Sequence, residues 1–291
     1  MSDAGFLVPP LSCDCHMHIF GDPADYPASA RRAYDPIEMP LSRYNAEAAR
    51  MGFGRVVFVQ PSAYGTDNAC MLDSLRARPG SSRGVAVIDD NTTAAMLDEM
   101  DELGVRGVRL NLVSSGEPDG TAAIGALQAA AARVARLGWH VQIFAKPDLL
   151  GLLAPVIATL AVPVVVDHMG GGTVSPAGSD PAFSALLDLL AAGKCWVKIS
   201  GANRVSAAGG DFADALPVMR ALVAANPERV VWGTDWPHIG PHTPGDPKPV
   251  VYMPIDNLAL LRLLGQAVPD AAARRRILVD NPAALYGFAT T

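Results

Sequence analysis

Eight short, almost uninterrupted apolar runs recur along the chain, at residues 13–20, 55–60, 84–88, 107–112, 140–144, 162–166, 195–199 and 230–233. Between most of them lie segments with the apolar spacing of helices, at 41–51, 92–103, 120–137, 149–160, 181–192 and 212–225. Strand then helix, repeated, implies parallel pairing, because successive strands that run the same way need a crossover between them. Runs this continuously apolar suit strands covered on both faces. Eight such units closing on themselves predict a distorted (β/α)8 TIM barrel, a single domain over residues 1–291. An open doubly wound sheet is the alternative, but the first run is not followed by the Gly-x-Gly-x-x-Gly turn of a dinucleotide fold.

Two segments interrupt the pattern. Residues 21–40 form a long connection rich in Pro and Ala, with Tyr26, Arg31, Arg32 and Tyr34, and loops of that length are usually functional. They read as a lid. Residues 236–254 hold His238, His242 and several prolines, and are expected to face the lid. Helical spacing then resumes at 255–265 and 270–279.

The formal net charge of -6, without a Lys/Arg-rich run, excludes a nucleic-acid footprint, which needs clustered positive charge. No apolar stretch of about 20 residues is present to span a bilayer, and Met1-Ser2-Asp3-Ala4-Gly5 lacks the basic-then-apolar order of a secretory leader. A cytoplasmic protein is expected. Cys13, Cys15, Cys70 and Cys195 are too few and too apolar in context for a disulfide framework or a structural zinc site. The oligomeric state stays open.

In a barrel of this kind the site lies where the strands end. His16 and His18 close the first run; alternating strand side chains put them on one face, with Cα atoms roughly 6.6 Å apart. Two imidazoles so placed can converge on a metal ion or on one polarised oxygen. Gln60-Pro61-Ser62-Ala63-Tyr64 closes the second run, Arg109 and Asn111 lie in the fourth, and Asp167-His168 closes the sixth. Ser200 and Arg204 follow the seventh, and Thr234-Asp235 the eighth. Acid, base and cation collected at one end point to catalysis.

Asp14-x-His16-x-His18, Asp167-His168-Met169-Gly170, Gly233-Thr234-Asp235-Trp236-Pro237 and the closing Asn281-Pro282-Ala283-Ala284-Leu285-Tyr286-Gly287 resemble the amidohydrolase superfamily. The runs from Val59 to Asn68 and from Val108 to Leu112 are similar to its branch of pyrone dicarboxylate, muconolactone and sugar lactone hydrolases. The resemblance implies a water activated by Asp235 as general base, with His16, His18 and His168 acting on the carbonyl under attack. It also implies a role in aromatic-compound catabolism.

Departures bear on the metal and on the substrate. Many superfamily members carry a strand-four lysine or glutamate and a strand-five histidine as ligands, whereas this chain offers Arg109 and Asn111, then Gln142-Ile143-Phe144-Ala145-Lys146. A two-metal centre is not expected. His16, His18, His168 and Asp235 can still hold one Zn²⁺ or Mn²⁺, and the branch includes metal-independent members, so the metal stays open. Ser114-Ser115 stand where the pyrone dicarboxylate enzyme resembles a chain with a basic pair, which removes one carboxylate clamp.

Each residue also has a plain structural reading. Asp235 can pair with Arg204 or bond to His16. Arg109 is either a bidentate carboxylate receptor or half of a buried salt bridge. Arg204 is a second clamp or a solvated loop cation. Ser62 and Tyr64 either bond the substrate or serve as turn residues, and Tyr34 in the lid is a further candidate contact. His140 reads as structural, His238 and His242 as loop residues, and Asp14 and Asp167 as groups that orient backbone or rings. The reading is a hydrolase that opens a small anionic, carboxylated lactone. The alternatives are a metal-dependent decarboxylase on the same barrel and a non-catalytic barrel that binds carboxylates.

Overall fold

The computed structural model describes residues 5–113, 119–171, 180–242 and 248–290. The strands are β1 (Cys13–Met17), β2 (Arg55–Val59), β3 (Ser82–Ala86), β4 (Val105–Asn111), β5 (His140–Phe144), β6 (Val164–Val166), β7 (Trp196–Ile199) and β8 (Val230–Trp232). They form one sheet in sequence order, every neighbouring pair parallel. The result is a (β/α)8 barrel.

Helices α1 (Leu41–Met51), α2 (Ala69–Ala77), α3 (Ala94–Leu103), α4 (Gly120–Val134), α5 (Pro147–Ile157) and α6 (Pro181–Ala191) follow the first six strands in turn, and α7 (Ala202–Val205) and α8 (Leu216–Ala225) both lie between β7 and β8. Then come α9 (Asn257–Ala267), α10 (Ala271–Arg275) and α11 (Asn281–Tyr286). Several begin where a side chain satisfies an orphan backbone N–H: Thr93 accepts from Met96, Asp119 from Ala122 and Asp256 from Leu258. Helix α2 was not among the sequence expectations. It is short, Asn68 gives it no side-chain cap, and a turn-rich stretch precedes it, so little in the sequence marks its start.

The barrel closes through Asp14. Its carboxylate accepts from the Thr234 backbone N–H at 2.9 Å, the Thr234 hydroxyl at 2.7 Å and the Tyr44 hydroxyl at 3.1 Å. Backbone bonds from Asp235 to His16 and from His18 to Trp236 complete the seam between β1 and the segment after β8. One apolar cluster joins the sheet to the helices, and a smaller one gathers Cys13, Cys15, Val57, Val85, Val165 and Val231. All four cysteines are buried thiols.

The two interrupting segments do meet. Asp35 donates from its backbone to Lys248 at 2.9 Å, Val250 donates to Asp35 at 2.9 Å, and the Tyr252 hydroxyl donates to the Ile37 carbonyl. Tyr34 packs edge-on against Phe20 and sits 4.7 Å, ring to ring, from His242. Together they cover the end of the barrel where the strands terminate. Among the described residues no helix is long and apolar enough to cross a membrane.

Candidate active site

Three imidazoles and one carboxylate converge beneath that cover. His16 and His18 stand on and just past β1, with ring centroids 5.0 Å apart, and the His168 ring lies 4.7 Å from that of His16. Asp235 Oδ1 is 3.6 Å from His16 Nε2, 3.6 Å from His18 Nε2 and 3.8 Å from His168 Nε2. All four side chains are almost fully buried. The contacts are too long for hydrogen bonds, and neither His16 Nε2 nor Asp235 Oδ1 has a hydrogen-bond partner among the described residues.

Local backbone geometry makes this convergence possible. The β1–β2 register shifts between Asp14 and Met17, the stretch that carries His16, and such irregularities re-aim side chains beside active sites. His168 and Asp235 both adopt the left-handed region, at φ 49° and 63°, which costs a non-glycine residue of order 1–3 kcal/mol. Two glycines give the rings room. A Cβ on Gly233 would lie 2.6 Å from the His16 backbone nitrogen, and one on Gly201 would lie 2.8 Å from His168 Nδ1.

The far ring nitrogens are also engaged. His18 Nδ1 lies 2.8 Å from the Val59 carbonyl, which can only accept, so Nδ1 carries the proton and Nε2 is bare. His168 Nδ1 contacts Ser200 Oγ at 2.9 Å. His16 Nδ1 lies 3.2 Å from Asp167 Oδ1 and 3.4 Å from Lys198 Nζ.

Burial holds His16 and His18 below the usual imidazole range and pushes His168 down to about 4. Burial alone would raise the Asp235 carboxyl, but Arg204 and His168 outweigh it and hold it well below the usual carboxylate range. At neutral pH the centre therefore consists of neutral imidazoles around an ionised carboxylate. Lone pairs facing one another repel unless a cation or a hydrogen-bond donor lies between them.

The donor set fits a metal ion. Nitrogen and oxygen ligands at about 2.1 Å around a tetrahedral ion stand about 3.4 Å apart, close to the 3.6–3.8 Å between Asp235 Oδ1 and the three Nε2 atoms. His16, His18 and Asp235 present ligand atoms mutually within 4.8 Å. The orphaned His16 Nε2 and Asp235 Oδ1 are the atoms such an ion satisfies.

Arg204, on α7, donates from Nε to Asp235 Oδ2 at 2.6 Å. Arg109 lies 3.4 Å from Asp167 Oδ2 through Nε and 3.5 Å from the Gln60 carbonyl through a terminal nitrogen, a loose hold for a buried guanidinium. A cavity of about 20 Å³ is lined by His18, His168, Arg109, Arg204, Ser62 and Tyr34, among others. It adjoins a larger cavity of about 740 Å³ that shares Ser62, Arg109 and Asn111 with it. Tyr64 is not among its lining residues; its hydroxyl accepts from the Gly21 backbone at 3.1 Å, at the base of the lid. His242 lines the cavity, while His238 is buried against Asn257 at 2.8 Å and His140 lies at the opposite end of the barrel against Tyr286. Ser114-Ser115 lie outside the described residues.

Sequence reasoning passed over two buried polar residues, Lys198 in β7 and Gln142 in β5. Lys198 Nζ donates to Gln142 Oε1 at 2.6 Å and lies 3.7 Å from Asp167 Oδ1; Gln142 Nε2 donates to Asp167 Oδ2 at 2.9 Å. A lysine inside an apolar strand is costly for the same reason as Arg109, and that argument was available from the run Trp196-Val197-Lys198-Ile199.

The sequence profile of the amidohydrolase family matches residues 13–288. The chain is 35% identical over 285 residues to a 4-sulfomuconolactone hydrolase of Hydrogenophaga intermedia, covering 97% of this chain and 90% of the relative. It is 34% identical over 294 residues to a 2-pyrone-4,6-dicarboxylate hydrolase of Comamonas testosteroni, covering 97% and 92%. A crystal structure of a probable 2-pyrone-4,6-dicarboxylic acid hydrolase from Acinetobacter baumannii, with citric acid bound, superposes with a TM-score of 0.81 at 27% identity, covering 96% of this chain and all of the other.

Proposed function

The chain belongs to the amidohydrolase family, and on that premise we propose that it hydrolyses a small anionic lactone by water attack on the ring carbonyl, with Asp235 as general base. The observation that carries the reading is the meeting of His16, His18 and His168 Nε2 around Asp235 Oδ1 at 3.6–3.8 Å under a polar, cationic mouth. Two relatives are named for sulfonated or dicarboxylated ring esters, which fits a cavity lined by Arg109 and Arg204.

Asp235 enters the reaction as a carboxylate. Its Oδ2 stays on Arg204, and its Oδ1 takes the proton of the attacking water. As the ring C–O bond breaks, the leaving oxygen recovers that proton from Oδ1. Arg109, whose present contacts are long, grips a carboxylate or sulfonate of the substrate through its planar donor fork. Ser62 and Tyr34 position the ring from the lid side. Neutral imidazoles suit ligation better than proton donation, so His16, His18, His168 and Asp235 would hold one divalent ion, zinc or manganese. When bound there, such an ion supplies Lewis acidity toward the carbonyl and acidifies a water.

The test is a panel of pyrone, mucono- and sugar lactones followed by proton release, with and without a chelator, and with CO₂ measured alongside. Ring opening releases one proton per turnover and no CO₂. CO₂ evolution in its place supports decarboxylation, and no turnover on any member, even with added Zn²⁺ or Mn²⁺, contradicts the hydrolase reading.

A further inference from the structure

His16 Nδ1 is contested. Asp167 Oδ1, which can only accept, lies 3.2 Å away, and Lys198 Nζ, which as an ammonium can only donate, lies 3.4 Å away. If Asp167 prevails, Nδ1 carries the proton and Nε2 faces Asp235 bare. If Lys198 prevails, the proton sits on Nε2, which then cannot bind a metal.

Gln142 stands between the rivals. Its Oε1 accepts from Lys198 Nζ at 2.6 Å, far closer than Lys198 comes to His16, and its Nε2 donates to Asp167 Oδ2 at 2.9 Å. An amide cannot exchange these roles here, because Lys198 supplies only donors and the ionised Asp167 only acceptors. Asp167 is a carboxylate set among buried cations: Lys198 Nζ lies 3.7 Å from its Oδ1 and Arg109 Nε 3.4 Å from its Oδ2.

The buried groups decide between the two assignments. Asp167 Oδ1 has no hydrogen-bond partner among the described residues, and the nearest donor it can gain is a proton on His16 Nδ1. A buried carboxylate oxygen left unsatisfied bears its full desolvation penalty. Lys198 keeps its acceptor in Gln142 at 2.6 Å and gives up only the longer, 3.4 Å contact when His16 turns its proton to Asp167.

We propose that Gln142 is a positioning residue that sets the tautomer of His16: by holding the Lys198 ammonium and donating to Asp167, it leaves His16 Nδ1–H to Asp167 and presents Nε2 bare at the centre. The partners of a ligating histidine fix its ring and raise its basicity, and their loss typically costs 10–100-fold in metal affinity. Only the metal readout below rests on the proposed divalent site.

The tautomer is measured directly in chelator-treated protein labelled with ¹⁵N-histidine, by long-range ¹H–¹⁵N correlation, with zinc affinity measured separately by chelator competition. Wild-type His16 is expected as the Nδ1–H form. In Gln142→Leu, Lys198 loses its 2.6 Å acceptor and turns to His16, so the proton moves to Nε2 and zinc binding weakens by about 10–100-fold. In Gln142→Leu/Lys198→Met the competitor is gone, and the Nδ1–H form returns with most of the zinc affinity. A purely structural Gln142 would leave the double variant no better than the single, which overturns the proposal. So does a wild type protonated at Nε2, a measurement that needs no variant to fold. An Nδ1–H wild type that takes up no zinc supports the tautomer assignment while contradicting the metal reading.

Discussion

Arg204 Nε donates to Asp235 Oδ2 at 2.6 Å, which anchors one oxygen of the carboxylate and leaves the other facing the three imidazoles. The arginine thus orients the base and keeps it ionised inside a buried site. Its short helix begins at Gly201, whose φ of 61° turns the chain back over the barrel end.

Arg204→Ala strands the Asp235 charge. Breaking a buried ion pair costs about 3–5 kcal/mol, and the low end applies because the Arg204 side chain is 24% exposed and solvent screens it. Urea unfolding is expected to show that loss. Turnover should fall and KM for an anionic lactone should rise, while Arg204→Lys recovers part of the stability. Unchanged stability and unchanged KM would remove Arg204 from the account.

The cover lies over the cavity that His18 and His168 line, and its movement would widen the way in for a lactone ring. Its seam rests on few backbone bonds, Asp35 to Lys248 and Val250 to Asp35. Amides of Asp35 and Val250 are expected to exchange with deuterium much faster than those of β1 or β5, and to slow when a carboxylated inhibitor is bound. Exchange as slow as in the strands would mean that the cover does not open.

Much of this could be read in the chain itself. The barrel follows from eight apolar runs with crossovers between them, and His16, His18, His168 and Asp235 stand out because they close those runs. Helix α2 was missed because it is short, uncapped and preceded by a turn-rich stretch. Strand ends slipped by up to three residues: the apolar run continues past the end of β1, and at β3 the polar Ser82 and Arg83 are already paired before the run begins. Partners were the larger gap: the pairing of Arg204 with Asp235 was one of several readings that the chain allowed and the structure bears it out, but nothing in the residue order says that Arg109 leans on Asp167 or that Tyr64 turns to Gly21. Lys198 and Gln142 were overlooked because attention went to polar residues at strand ends, whereas these sit inside β7 and β5.

Acid should weaken the fold in a defined window. An unfolded chain protonates its histidines near pH 6.5, but burial holds folded His168 neutral down to about 4 and His140 down to about 3. Between those values the unfolded state binds more protons, so stability is full above about pH 6.5 and declines as pH falls toward 4. Urea midpoints at pH 8, 6, 5 and 4.5 test this. His140→Asn, remote from the site, should make the decline shallower; an unchanged slope would contradict a buried neutral His140.

Chelation addresses the metal. If His16, His18, His168 and Asp235 hold one ion, dialysis against a strong chelator lowers the melting temperature and stops turnover, and one equivalent of Zn²⁺ or Mn²⁺ restores both. Full activity after verified metal removal would point instead to a reaction carried by the side chains alone.

The most direct test compares wild type with Asp235→Asn on a carboxylated lactone, following proton release. Wild type should release one proton for each ring opened, and the variant, folded to the same extent, should be slower by about 10²–10⁴-fold, the usual contribution of a general base. A folded Asp235→Asn protein that opens the ring at the wild-type rate would contradict the role given to Asp235 and the account built on it.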